Sequence, residues 1–137
     1  MLDPTIIERI RRRIGSAPFA NWMGFEMTGV GPGSSELTLE LAPHHLNPGG
    51  RAHGGVAASL LDSAIGLALR TLLPEGANHA TLQLNVTYLR PAAGGRLIAR
   101  ATAVHRGRRI EYGEGTVFDA DEHVVARGSA TFVVLPP

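Results

Sequence analysis

Residues 54–73, GGVAASLLDSAIGLALRTLL, constrain this chain more than any other stretch. Strong helix formers fill the segment and Pro74 closes it, and a helix of that length is about 30 Å long. Its apolar residues run nearly all round, which suits only a helix enclosed by protein or by lipid. Asp62 and Arg70 within it, and the strand-rich remainder of the chain, exclude the membrane. The fold therefore has to enclose this helix. Gly55, Ser59, Asp62, Gly66 and Arg70 follow one another at steps of three or four and share one small, polar face. A carboxylate on such a face is hydrogen-bonded, charge-paired or functional, since burying it bare is costly.

The rest of the chain supplies the enclosure. Residues 4–14 form an amphipathic helix, with Asp3 as N-cap, Pro4 in the first turn, and Ile6, Ile10 and Ile14 on one face. Residues 17–23 add a helical turn whose Phe19, Trp22 and Met23 cover the core or close one end of a pocket. Residues 25–30 and 35–41 are strands joined by the turn Gly31-Pro32-Gly33-Ser34; in the second, Leu37, Leu39 and Leu41 alternate with Glu36, Thr38 and Glu40. A loop rich in His, Asn, Pro and Gly, residues 43–53, leads into the long helix. Four further strands follow, at 81–88, 97–105, 110–118 and 123–134, separated by Arg90-Pro91, Arg106-Gly107-Arg108-Arg109 and residues 119–122. Strands linked by short turns pair antiparallel, so the class is α+β with helix and sheet segregated. A single helix that is apolar all round is buried only if the sheet curls about it and a further body, a second copy of the chain, covers the open side.

Composition narrows the function. At 137 residues the chain is one domain, 1–137, with residues 1–23 as an amino-terminal helical segment. A net charge of +1 gives no electrostatic case for nucleic acid, and the Arg-rich first helix reads as a solvated face rather than a membrane anchor. All 13 basic residues are arginine, which suits phosphate if phosphate is bound. With no cysteine, disulfides, thiolate metal sites and a cysteine nucleophile are excluded. His44, His45, His53 and Asp62 have no recognised ligand spacing, so no metal is expected. The amino terminus has no export signal, and the cytoplasm is the expected compartment.

Two features carry chemistry. The start of the long helix, His53-Gly54-Gly55, presents unpaired amides and a positive dipole end that stabilise a negative oxygen. Asp62 is a candidate base or nucleophile for a carbonyl held there. Eight residues separate Gly54 from Asp62, about 12 Å along the axis, too far for both to reach one reacting atom. Two antiparallel copies of the helix, related by a twofold axis near Ala58, would bring Gly54 of one beside Asp62 of the other, and small residues at 55, 58 and 59 permit that approach.

Asn47, then His53-Gly54-Gly55 six residues later, Asp62, and a strand from Thr81 ending Tyr88-Leu89-Arg90-Pro91-Ala92 resemble the PaaI-type hotdog-fold acyl-CoA thioesterases across most of the domain. The resemblance implies a long helix wrapped in a curved antiparallel sheet, dimers that commonly pair into tetramers, and hydrolysis of acyl-CoA without any cofactor beyond the coenzyme A of the substrate. It implies Asp62 as the catalytic carboxylate, the Gly54 amide as oxyanion donor, and His53 and Asn47 as the groups that orient the site and the attacking water. Thr81 matches a Ser or Thr near the carboxylate. Gly55 lies at the same helix start, and Arg90, Arg106, Arg108 and Arg109 resemble the basic positions that meet coenzyme phosphates. Trp22, Met23, Phe25, Leu61 and Ile65 are candidate acyl-pocket walls, or plain core. A non-catalytic acyl-CoA-binding hotdog module and an enoyl-CoA hydratase are the alternatives.

Overall fold

The computed structural model describes residues 1–137. Two helices, α1 (Pro4–Gly15) and α2 (Pro18–Met23), precede the strands β1 (Glu26–Gly31) and β2 (Ser34–Glu40). The long helix α3 (Gly54–Arg70) follows, then β3 (Asn78–Tyr88), β4 (Arg96–Arg106), β5 (Ile110–Phe118) and β6 (Val124–Leu135). All six strands pair antiparallel in one sheet of order β1-β2-β4-β5-β6-β3. The sheet packs α3 against β2, β4, β5, β6 and β3, the hotdog arrangement expected from the sequence.

The helix sits close to the sheet because two of the inward positions of β5 beneath it are glycine. A Cβ at Gly113 would lie 2.8 Å from the Ile65 Cγ2, and one at Gly115 would lie 3.0 Å from the Leu61 Cδ2. Leu60, Leu61, Ala64, Ile65 and Ala68 on α3 are fully buried against Leu37, Leu97, Ala99 and Val117. The Ser35 hydroxyl donates 2.6 Å to the Ala64 carbonyl, a buried bond that ties β2 to the middle of the helix. Such a bond leaves the Ser35 hydroxyl satisfied inside an apolar layer.

Several boundaries move from their sequence positions for identifiable reasons. The helix ends at Arg70 rather than residue 73, because the Thr71 hydroxyl donates to the Ala68 carbonyl at 2.7 Å and accepts the Gly33 N–H at 2.8 Å. Gly76, at φ +81°, turns the chain early enough for β3 to begin at Asn78 and pair its first residues with Leu135, Val134 and Val133. Inside β3 a bulge leaves Leu82 opposite no residue, between the pairs Thr81 with Phe132 and Gln83 with Thr131. The alternation that sequence reading carried straight through 81–88 is therefore broken. One extra residue inverts the parity of everything before it, so Thr81 shares the helix-facing side with Leu84 and Val86, and Leu82 is 59% exposed.

One polar pair lies in the interior. Glu111, on the inward side of β5 with Gly113 and Gly115, is completely buried and accepts from His79 Nδ1 at 2.7 Å. Its second oxygen has no partner. The His79 ring lies 4.6 Å from that of Phe132. Burial holds the His79 imidazole below its ordinary value of 6.5, against the opposing pull of its Glu111 bond, and the Arg70 charge acts in the same direction as burial.

Two predictions follow from this packing. Gly113→Ala is expected to destabilise the fold by about 1–3 kcal/mol in urea unfolding, because its methyl group displaces Ile65. Since the folded chain holds His79 deprotonated below the pH at which the unfolded chain protonates it, stability contributed by His79 is lost on acidification below about pH 6.5. The difference in unfolding free energy between wild type and His79→Gln should shrink from pH 7 to pH 5; a constant difference would show that His79 does not titrate in this way.

Candidate active site

The helix start is set by its own loop. Asn47 closes a tight turn: its side-chain oxygen accepts from Gly49 N–H at 2.9 Å and Arg51 N–H at 3.2 Å, which leaves its amide NH2 as the free end. His53 is the N-cap of α3, and its Nδ1 accepts the Gly55 N–H at 2.8 Å. A ring nitrogen that accepts carries no proton, so the neutral ring is protonated on Nε2, away from the helix. Capping therefore consumes the Gly55 amide and leaves the Gly54 N–H with no acceptor in the chain. The Gly54 carbonyl is held separately by the Tyr88 hydroxyl, reaching across from the end of β3. Sequence reading had Tyr88 only as part of the strand's closing motif; no local pattern signals this long-range contact.

Two turns further along α3, Asp62 is half-buried and makes no ion pair. Its Oδ1 accepts from the Thr81 hydroxyl at 2.8 Å, a bond available only because the bulge turns Thr81 onto the helix. Asp62, Gly66, Arg70, His79, Thr81 and Phe132 line a groove of about 300 Å³, roofed by Ile14, Ala17, Phe19 and Ala20 from the amino-terminal helices. The polar stripe seen in the sequence divides here. Gly55, Ser59, Asp62 and Arg70 keep access to solvent, whereas Gly66 is buried because the Phe132 ring packs where its Cβ would be, 3.2 Å away.

The structure gathers some of the sequence candidates and separates others. Asp62 and Thr81 form one group at the middle of the helix; Gly54, Gly55, His53 and Asn47 form a second at its start, about 12 Å away along the axis. Arg90 lies beside the second group, just past Tyr88, and its N–H donates to the Val125 carbonyl. Arg106, Arg108 and Arg109 lie at the β4–β5 turn, where the Arg109 carbonyl accepts from Val134, at the sheet end that also holds His79. All four arginines are exposed, and none lines the Asp62 groove. Of the suggested wall residues, Met23, Leu61 and Ile65 are core, Trp22 packs edge-on to His44 at 5.2 Å, and Phe25 meets the edge of Phe19 at 6.2 Å. Only Phe19 from the amino-terminal aromatic group reaches the groove.

His45 is structural: its Nδ1 accepts the Ala42 N–H at 2.8 Å and its other nitrogen donates to the Met23 carbonyl at 2.7 Å. Both ring nitrogens are thus used by the backbone. Arg70 has no carboxylate within ion-pair distance; burial and the neighbouring Arg13 hold its guanidinium below its ordinary value, opposed by the Glu111 charge.

A free carboxylate in the middle of a helix and a free, positively polarised amide at its start are groups suited to acyl transfer. Comparison with known proteins agrees. The chain is 38% identical over 125 residues to a Halobacterium salinarum protein provisionally named an esterase, covering 83% of this chain and 82% of that one. It is 27% identical over 132 residues to the medium/long-chain acyl-CoA thioesterase of Salmonella typhimurium, covering 85% of each. Among solved structures, a phenylacetic acid degradation-related protein of Ralstonia eutropha superposes with a TM-score of 0.81 at 32% identity, covering 90% of this chain and 98% of that one. The family model of the thioesterase superfamily matches residues 49–126, from the Asn47 turn through α3 to the start of β6, and the chain belongs to that superfamily.

Proposed function

We propose that the protein hydrolyses acyl-CoA thioesters at a site shared between two copies of the chain. The observation that carries this reading is the separation of the two halves of the chemistry: the unpaired Asp62 with Thr81 at one place, the free Gly54 N–H at another, about 12 Å apart along one rigid helix. An antiparallel twofold pairing of α3 with its counterpart puts one half from each chain around a single thioester carbonyl. Such a pairing also accounts for β3. It is an 11-residue strand at the sheet edge with its outer backbone groups unpaired and Leu82 exposed, which a second β3 would cover. Dimers, and tetramers built from them, belong to this proposal.

In the shared site, Asp62 either takes a proton from water as the water attacks the thioester carbon or attacks that carbon itself. Thr81 fixes the carboxylate by donating to one oxygen and leaves the other free to react. The carbonyl oxygen becomes negative and accepts from Gly54 N–H of the partner subunit, at the positive end of its helix. Collapse breaks the C–S bond, and the thiolate of coenzyme A leaves and takes up a proton; where Asp62 was the attacking group, a water then cleaves the acyl–Asp62 anhydride, releasing the acid and restoring the carboxylate. Asn47, with its oxygen committed to its own turn, turns NH2 toward the same space, and His53 holds the cap that keeps Gly54 free. In the same pairing, Arg90 of one chain and the Arg106–Arg109 turn of the other come to the same side of the site, where coenzyme phosphates would meet them. The reading is of a cytoplasmic enzyme without a cofactor of its own; no helix is long and apolar enough to cross a membrane.

Release of free thiol from a panel of acyl-CoA thioesters tests the activity. Asp62→Asn should lower kcat by about 10²–10⁴ while the melting temperature stays within a few degrees of wild type; unimpaired turnover would remove Asp62 from the mechanism. Tight acyl-CoA binding with no thiol release from any thioester would instead identify a binding module. The shared site makes a second prediction. Gly54→Pro removes the N–H at a helix position that tolerates proline, and Asn47→Ala serves in its place if Tyr88 cannot accommodate the ring. Mixing either chain with Asp62→Asn under subunit exchange should restore about a quarter of wild-type activity, because each mixed dimer has one intact site. No recovery in isolated heterodimers would place both groups of a working site in one chain.

A further inference from the structure

The groove that holds Asp62 has two chemically different ends. At the Asp62 end are a carboxylate and the Thr81 hydroxyl. Along its length the lining is mainly hydrocarbon and aromatic, with Ile14, Phe19, Leu67 and Phe132 the larger groups beside Ser63 and His79. At the other end stand two guanidinium groups, Arg70 from the last turn of α3 and Arg13 from α1. They share a single neutral acceptor, the Asn78 side-chain oxygen, at 3.5 and 3.3 Å. Neither has a carboxylate within ion-pair distance, whereas their neighbours Arg9 and Arg12 pair with Glu75 and Glu8. Glu111, the buried carboxylate whose charge is felt at Arg70, gives one oxygen to His79 at 2.7 Å and leaves the other without a partner, but lies outside ion-pair distance of both guanidinium groups. Two like charges, one half-buried and one exposed, thus meet beside an apolar groove with one weak neutral acceptor between them, and an anion placed there would take hydrogen bonds from both.

We infer that Arg13 and Arg70 bind a carboxylate at the distal end of the acyl chain, so that the preferred substrate is an ω-carboxyacyl thioester. The inference rests on the hydrolytic reading for the position of the thioester, and it adds the acyl class. Eight residues separate Asp62 from Arg70, about 12 Å along the helix. A hydrocarbon segment of medium length fits between a thioester carbonyl at Asp62 and a carboxylate at the guanidinium pair. Guanidinium forks take carboxylate or phosphate with two parallel hydrogen bonds, so the coenzyme is a second possible source of the anion. The walls favour the acyl source. A groove of about 300 Å³ lined by Phe19, Leu67 and Phe132 accepts a methylene chain, not a hydrated nucleotide.

The test compares acyl-CoA pairs of equal chain length: adipoyl against hexanoyl, suberoyl against octanoyl, and sebacoyl against decanoyl. The wild type should show a higher kcat/KM for the carboxylated member of at least one pair. Arg70→Gln should lower that ratio roughly tenfold or more, the worth of a charge-assisted hydrogen bond out of bulk water. Arg13→Gln, whose side chain is exposed, should lower it in the same direction and carries the test if Arg70→Gln does not fold. A wild-type ratio at or below one for every pair overturns the inference, as does a ratio that neither substitution changes. If both substitutions raise KM equally for all acyl-CoAs but leave the matching N-acetylcysteamine thioesters unaffected, the pair reads coenzyme phosphate and the inference also falls. Calorimetric binding of suberoyl-CoA and octanoyl-CoA to Asp62→Asn, with and without Arg70→Gln, separates this inference from the hydrolytic reading. Tighter binding of suberoyl-CoA that depends on Arg70 upholds the carboxylate pocket even if no thioester is cleaved, and equal binding removes it even if hydrolysis is fast.

Discussion

The contact between α3 and the bare centre of the sheet is the constraint on which the rest depends. Where Gly113 and Gly115 pass beneath the helix, Ile65 and Leu61 come down to the backbone itself, and the Ser35 hydroxyl fixes Ala64 from the side. With its buried face held at that depth, the helix has no freedom to rotate. The residues on its opposite flank, Asp62 and Arg70 among them, are aimed by packing rather than by their own interactions. A carboxylate without an ion pair can persist there because the apolar contacts of its neighbours hold the helix whatever Asp62 does. Asp62 is supported by a framework to which it contributes little.

The same rigidity dictates how chemistry can be arranged. A helix cannot bend its first turn toward its third, so the Asp62 carboxylate and the Gly54 amide of one such helix cannot meet at a single atom. Each end is prepared separately. At the start, His53 caps with a side-chain nitrogen and takes one amide out of play, leaving its neighbour available. In the middle, Thr81 donates to one carboxylate oxygen and leaves the other available. In both places the supporting residue uses one of two equivalent groups, and that choice gives the remaining one a defined direction.

Much of this was legible in the residues, and the exceptions have physical reasons. The enclosed helix was visible because its apolar residues run all round, and the strands because Leu37 and Leu39, or Leu84 and Val86, alternate with polar neighbours. Hairpins between the last strands were marked by their turn residues. Thr81 was different. Its neighbours alternate in both directions, and a single extra residue in a strand leaves no mark on hydropathy, so its place beside Asp62 came from resemblance rather than from pattern. Glu111 was hidden by the opposite fault: it sits in phase with Gly113, Gly115 and Val117, which identifies the inward side, but a charged residue there reads as an error in the phase until His79 is found against it. Arg70 was on the sequence's polar stripe with Asp62, yet its neighbour Arg13 lies 57 positions away in the chain, and no local spacing joins them. The helix end was misplaced by three residues because a hydroxyl of Thr71 serves two elements at once, a tertiary choice that propensity does not encode.

The edge strand bears on both the start and the middle of the helix. Through Thr81 it touches Asp62, and through the Tyr88 phenol it clasps the Gly54 carbonyl, so β3 spans α3 like the bar of a calliper. Seven residues of strand outrun eight of helix, about 23 Å against 12 Å, and the long Tyr88 side chain reaches back to close the jaw. A displacement of that outermost strand along its own axis would move both jaws together, carrying a pull at the rim of the sheet to carboxylate and amide alike.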